Sequence, residues 1–362
     1  MNKISTKHLM LFFIGVTFIS IKTYPSFFIN LGGRDTWICT IAATILFMIF
    51  ISYLIHIMKK HETYDIAKIF EIGLSKPLGY CALILFGINL FLSSIESASV
   101  HANVIQSLYF LDTPIWYILA FFLVPAVILL NKNIRTLLVF TVVAVSSLVI
   151  NAIAFALLIE KYKDIEYIMP VLSNGIDKNF IICIGMIFFS LCSILIAVPF
   201  MKFLNNGEHL NKHSFITNSG MSLFIIFVVL GIISYFGPER ASNIFYAEAV
   251  QGQRVEIGGF LEFGELFFIY QTVVGFLIKY TLSTYALMIL FKKFSDNKFL
   301  FILINTFLTF VFSNLIATNN YYITDILNIY LISSGVLFFI LPLISFISFN
   351  IKQNKKITKK VV

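Results

Sequence analysis

A series of long apolar runs, separated by short polar stretches, repeats from one end of the chain to the other and constrains its fold more than any other feature. The runs cover residues of about 9–29, 36–58, 78–106, 114–130, 136–159, 179–203, 215–236, 263–290, 299–317 and 325–349. About 20 apolar residues match the hydrocarbon thickness of a bilayer, where backbone N–H and C=O groups are satisfied only in a helix or a closed barrel. Runs this continuous fit helices. The sequence therefore predicts an all-α membrane protein with about ten transmembrane helices, a single polytopic membrane domain over residues 1–362 that leaves no stretch for a sizeable soluble domain. Apolar residues make up 59% and charged residues 12%, against roughly 25% charged in ordinary soluble domains, so a soluble globular enzyme is excluded.

The net charge of +8 does not point to nucleic acid, because the lysines and arginines lie between the apolar runs and do not gather on one polar surface. Membrane topology explains them. With the N-terminus inside, 18 of the 26 Lys and Arg residues fall on inner segments and six on outer ones, which places both termini in the cytoplasm. Lys3 and Lys7 before the first run imitate a signal peptide, but no small-residue cleavage site follows and Lys22 and Pro25 interrupt its end, so the run is expected to stay as a span. Two outer loops, Glu160 to Lys178 with an Asn174-Gly175 turn and Gly237 to Glu262 with Gly258-Gly259, are long enough for short interfacial helices. Acidic residues collect on this outer side (Asp164, Glu166, Asp177, Glu239, Glu248, Glu256, Glu262, Glu265) and read as solvated. Cys39, Cys81, Cys183 and Cys192 lie inside apolar runs without metal-ligand spacing and read as packing residues.

Three ionisable side chains fall where a bilayer tolerates them only against a cavity or a partner. Lys22 sits in Ser20-Ile21-Lys22-Thr23-Tyr24-Pro25, a composition that allows the helical ladder to break and its freed groups to hold a ligand or an ion; an ordinary proline kink with Lys22 reaching toward the interface is the other reading. In the third run Asn89, Ser93, Glu96, Val100 and Asn103 share one helical stripe, with His101 on the neighbouring one. Glu96 could accept a proton, pair with Lys22 or Lys279, hold a ligand amino group, or serve as a neutral hydrogen-bonding strut between helices. In the eighth run Gln271, Gly275, Lys279 and Ser283 repeat every four residues, and Lys279 either stands where other transporters bind sodium or bridges two helices.

The sixth run carries Gly185, Ser190, Cys192, Ser193 and Pro199. Ten helices allow two five-helix halves of opposite orientation, in which the first and sixth runs correspond, and paired interruptions in the two halves point to a substrate site. Small residues also serve plain helix packing. No phosphate-binding loop, zinc-protease motif or nucleophile elbow is present, and no metal or cofactor is expected.

The order of features resembles the permease-like B subunits of endospore germinant receptors, relatives of the amino acid/polyamine/organocation transporters. The carrying stretches are Pro25-Ser26 with Gly33-Arg34-Asp35-Thr36-Trp37-Ile38, Thr63-Tyr64-Asp65-Ile66-Ala67, Phe236-Gly237-Pro238-Glu239, and Ile257-Gly258-Gly259-Phe260-Leu261-Glu262-Phe263-Gly264-Glu265. The resemblance implies a LeuT/APC-like five-plus-five inverted repeat with broken helices 1 and 6. It also implies recognition of a small germinant such as an amino acid in the spore inner membrane, alongside an A subunit and a lipoprotein C subunit. The alternatives are a proton-coupled amino acid transporter using Glu96 or His101, and a scaffold with a vestigial pocket. Ser20, Lys22, Thr23, Ser93, Glu96, His101, Ser190, Ser193, Lys279 and Ser283 are the candidate ligand-binding residues. Small molecule, membrane lipid and partner subunits, and not nucleic acid, are the expected partners.

Overall fold

The computed structural model describes residues 4–172, 175–205, 207–257, 261–292 and 297–361, so Asn174 and the Gly258-Gly259 pair lie outside the described residues. The helices are α1 (Thr6–Ser20), α2 (Pro25–Gly32), α3 (Thr36–Lys60), α4 (Ile66–Leu74), α5 (Lys76–Leu108), α6 (Ile115–Asn131), α7 (Ile134–Ile159) and α8 (Lys178–Leu191). A 3₁₀ segment, Cys192–Phe203, continues α8. Then follow α9 (Leu210–Phe236), α10 (Pro238–Asn243), α11 (Ala247–Gln253), α12 (Glu265–Phe291), α13 (Lys298–Ile316), α14 (Asn320–Ser334), a π segment (Gly335–Ile340) and α15 (Leu341–Val361). Among the described residues, eight helical stretches are long and apolar enough to cross a bilayer, and the shorter apolar helices Thr6–Ser20 and Ile115–Asn131 add two more. Large apolar side chains such as Ile49, Phe121, Leu157 and Phe307 face outward, as a hydrocarbon solvent requires.

The first run is divided in two. The Ser20 hydroxyl bonds the Val16 carbonyl at 2.7 Å, competing with the ladder, and Pro25 brings no N–H and disfavours helical geometry in Tyr24 before it. Residues 21–24 are held by i to i−3 bonds, Lys22 N to Ile19 O and Tyr24 N to Ile21 O, before α2 restarts at Pro25. The sixth run changes character at Cys192, where α8 tightens into the 3₁₀ segment containing Pro199. α5, the longest helix, runs through the centre and packs most extensively on α12, while α1 lies against α7, α9, α12 and the 3₁₀ segment.

The short motifs prove to be turns and caps. Gly33 ends α2 with φ +55°, a conformation that favours glycine, and the Asp35 carboxylate then accepts from Leu172 N at 2.8 Å, tying the turn between α2 and α3 to the 160–178 loop. Gly237 (φ +74°) closes α9 and Pro238 opens α10. Asp65 caps α4 by accepting from Ala67 N at 3.1 Å. Of the two long loops, 237–262 carries the expected helices, α10 and α11, plus a two-residue strand pair, Glu256–Ile257 with Leu261–Glu262. The loop 160–178 instead forms 3₁₀ turns, Glu160–Tyr162 and Ile165–Ile168. Cys39, Cys183 and Cys192 are buried, whereas Cys81 faces outward and packs nothing in the core.

Before α1, Ile4 is stitched to the end of the 3₁₀ segment. Ile4 N donates to Phe203 O at 2.7 Å and Asn205 N to Ile4 O at 3.0 Å. Thr6 and the His213 imidazole add a 2.7 Å contact from α1 to α9.

Candidate functional site

The polar stripe on α5 meets two partners. Glu96 pairs with Lys279 of α12 at 2.7 Å, with both side chains 1% exposed. The rest of the stripe faces the last span: Ser93 Oγ lies 2.6 Å from the Tyr330 hydroxyl, and Asn89 Nδ2 donates to Ser334 Oγ at 3.3 Å. The Tyr330 ring also lies 5.4 Å from the Lys279 ammonium. One carboxylate oxygen of Glu96, Oε2, takes the ion pair; the other, Oε1, has no hydrogen-bond partner among the described residues. The Tyr24 hydroxyl, from the break in the first span, lies beside Glu96 without reaching hydrogen-bond geometry. Thr23 Oγ1 and Thr17 Oγ1 of the same stretch are likewise buried without a partner. A buried polar atom left unmatched costs about 1–3 kcal/mol. Several such atoms lie at or near one helix break.

The two interrupted spans are hydrogen-bonded to each other. Ser190 Oγ donates to the Ser20 carbonyl at 2.6 Å, the Ser20 and Ser193 hydroxyls are in contact, and Ser193 Oγ donates to Ser190 O at 2.8 Å. These small side chains let the two backbones approach closely at the centre of the bundle.

At the break, Lys22 turns toward the long loop and pairs with Glu248 of α11, with the rings of Phe18 and Phe268 at 5.5 and 5.7 Å from its ammonium. Glu248 is thus a buried partner, not the solvated acid its loop position suggests. α11 is fastened at two further points: Tyr246 OH donates to Asn103 Oδ1 of α5 at 2.6 Å, and Gln251 Nε2 donates to Gly231 O of α9 at 3.1 Å. Burial pushes the Tyr246 phenol well above its ordinary range, which keeps it a donor at any working pH. The space left beside Lys22, Glu248, Gln251 and Gln271 is about 40 Å³, far below the roughly 300–1,000 Å³ of ordinary ligand pockets. The Ile4 contacts lie before the start of α1, and α11 lies against the break that follows it.

A family model described as a spore germination protein matches residues 3–322, nearly the whole chain. The chain belongs to the spore germination permease family. No curated protein matches it. Among solved structures it is similar to a Na⁺-coupled sialic acid symporter in a substrate-bound outward-open state, with a TM-score of 0.65, 11% identity, and coverage of 94% of this chain and 79% of that one. At this identity the likeness shows the fold, the LeuT/APC-type arrangement of two five-helix halves with the first and sixth helices broken. Family and fold are of the permease type, and the chain is a multi-pass membrane protein.

In this spore germination permease Ser20, Lys22, Thr23, Ser190 and Ser193 lie at the paired breaks; Glu96 lies near Tyr24 and pairs with Lys279, and Ser93 meets Tyr330 of the last span. His101 is apart: its ring stacks on Phe122 at 4.3 Å and its Nδ1 has no partner among the described residues. Ser283 bonds back to Lys279 O at 2.7 Å, within its own helix. Sequence reasoning missed Tyr24, Tyr330 and Glu248. Tyr330 and Ser334, one turn apart on an apolar span, carried a readable signal of the same kind as the α5 stripe. Glu248 carried none, because a loop acid is ordinarily solvated. Among the described residues no group of three or more His, Cys, Asp or Glu is arranged to hold a metal.

Proposed function

We propose that this chain is the membrane-embedded germinant-recognition subunit of a spore germination receptor, binding a small zwitterion such as an amino acid in a transporter-like pocket. The observation that carries this reading is that Thr23 Oγ1 and the Tyr24 hydroxyl, at the break of the first span, and Glu96 Oε1, on the residue beside Tyr24, are all buried and without partners among the described residues. A ligand ammonium matches the free oxygen of Glu96. A ligand carboxylate matches the N–H groups of the first turn of α2, which no side chain caps. Lys279 then balances the Glu96 charge from the opposite side, and Ser93 with Tyr330 fixes the pocket wall.

Entry requires α11 to lift, since Lys22–Glu248 and Tyr246–Asn103 hold it over the break. Ligand binding shifts the population between the closed and opened arrangements, and that shift is what an A subunit and a lipoprotein C subunit in the spore inner membrane would receive. The charge distribution supports cytoplasmic termini.

The test is deletion of the gene followed by dipicolinate release from purified spores across an amino-acid and nucleoside panel. Selective loss of one response is the expected result. Complementation with Tyr24→Phe or Thr23→Val then shifts the half-maximal germinant concentration upward; a parental dose response for both variants overturns the site. The transporter-like fold is also compatible with one second reading, a proton-coupled amino acid transporter. Accumulation of labelled substrate by reconstituted protein under a proton gradient distinguishes it.

A further inference from the structure

A second, larger cavity lies away from the helix breaks, at the end of the bundle where most of the lysines collect. It measures about 810 Å³, within the usual range of roughly 300–1,000 Å³ for ligand pockets, and is bounded by α4, the start of α5, the end of the 3₁₀ segment, the end of α12 and the start of α13. Neither α1 nor the Glu96–Lys279 pair contributes to it. Its chemistry has two parts. Four lysines line it, Lys68, Lys202, Lys292 and Lys298, against two carboxylates, Asp65 and Glu71. Asp65 is already engaged by Lys202 at 2.9 Å, and Lys298 donates to the carbonyls of Asn131 and Lys132. Lys68 and Lys292 are exposed and have no ion-pair partner among the described residues. The remaining wall is apolar, including Met288, Phe291 and Phe301.

The wall also runs onto the outside of the bundle. Tyr80 lines the cavity, is 45% exposed, and stands one turn before Ile84, which is 53% exposed on the lipid-facing side of α5. A tyrosine at such a place sits where bilayer meets water. A soluble anion would satisfy the lysines and leave the apolar wall wet. An amphiphile with a phosphate at one end satisfies both.

We propose that this cavity binds an anionic phospholipid of the surrounding leaflet, its phosphate between Lys68 and Lys292 and an acyl chain along Met288, Phe291 and Phe301. Basic pockets between membrane helices hold lipid headgroups by this combination of surface attraction and local fit. Because α4 and the end of the 3₁₀ segment both border the cavity, a bound lipid braces the inner end of the sixth span.

The experiment measures thermal unfolding of the full chain, purified in neutral detergent, with added phosphatidylglycerol, phosphatidylcholine or glycerol 3-phosphate. A ligand that binds only the folded state raises the midpoint with concentration. The expected result is a saturable rise with phosphatidylglycerol alone, most of which is lost in Lys68→Gln/Lys292→Gln while the midpoint in phosphatidylcholine stays parental. An equal rise with glycerol 3-phosphate would mean a soluble-anion site, and a parental response of the double variant would mean unspecific charge attraction; either overturns the proposal. Should the double variant unfold early in phosphatidylcholine, the exposed single change Lys68→Gln and mass-spectrometric counting of retained phosphatidylglycerol carry the same test. Parental retention by Lys68→Gln then overturns it.

Discussion

Lys279–Glu96 and Lys22–Glu248 are both buried lysine–carboxylate pairs, with side-chain exposures of 1% and 1% against 5% and 8%, yet they join different kinds of element. The first links α5 to α12, two long helices that cannot part without unpacking the centre of the bundle. The second links the break of the first span to α11, a seven-residue helix in the loop between α9 and α12. Burying a pair of opposite charges contributes little by itself, because desolvation offsets the attraction. What matters is where the charges go when the pair opens. Glu96 and Lys279 have nowhere to go, so their pair fixes structure. Glu248 belongs to a short loop helix, so under the proposed function its pair controls access.

The sharpest way to break this contrast is Glu96→Leu, which leaves the Lys279 ammonium buried and alone. It is expected to cost about 3–5 kcal/mol, read as a lowered unfolding midpoint in detergent, and the double change Glu96→Leu/Lys279→Met is expected to recover most of that loss. If Glu96→Leu is tolerated, the central pair is not structural and the contrast fails. The next effect is smaller. Glu248→Gln is expected to lower stability by about 1–3 kcal/mol at most, while hydrogen exchange accelerates in residues 244–255 and leaves the middle of α5 unchanged. Acceleration in both places would mean that the cap and core open together. Smallest is Tyr246→Phe, which removes the bond to Asn103 and is expected to cost about 1 kcal/mol with the same local exchange signature. Combined with Glu248→Gln it should give less than the sum, because both side chains hold one segment.

Much of this organisation is legible in the sequence. Pro25 and the Ser20–Thr23 stretch announce the first break, Ser190 to Pro199 the second, and the spacing of Asn89, Ser93, Glu96 and Asn103 announces an inward face on α5. Periodicity places residues on a face of their own helix, and no further. It left Lys22 and Lys279 as equal candidates for Glu96, and the structure gives Glu96 to Lys279 and Lys22 to a loop residue 226 positions away. The same limit hid Tyr24: Pro25 marked the break, but not that the preceding phenol lies beside Glu96.

The sequence by itself determined the elements and their inward faces, because a bilayer leaves an apolar run no satisfied backbone except a helix and drives polar stripes away from lipid. Only the tertiary structure decided which polar groups meet, that α11 lies over the helix break, and that lysines from α4, α12 and α13 line one cavity. Those outcomes depend on helix crossing, register and the path of loops, and contacts between residues hundreds of positions apart leave no local trace in the chain.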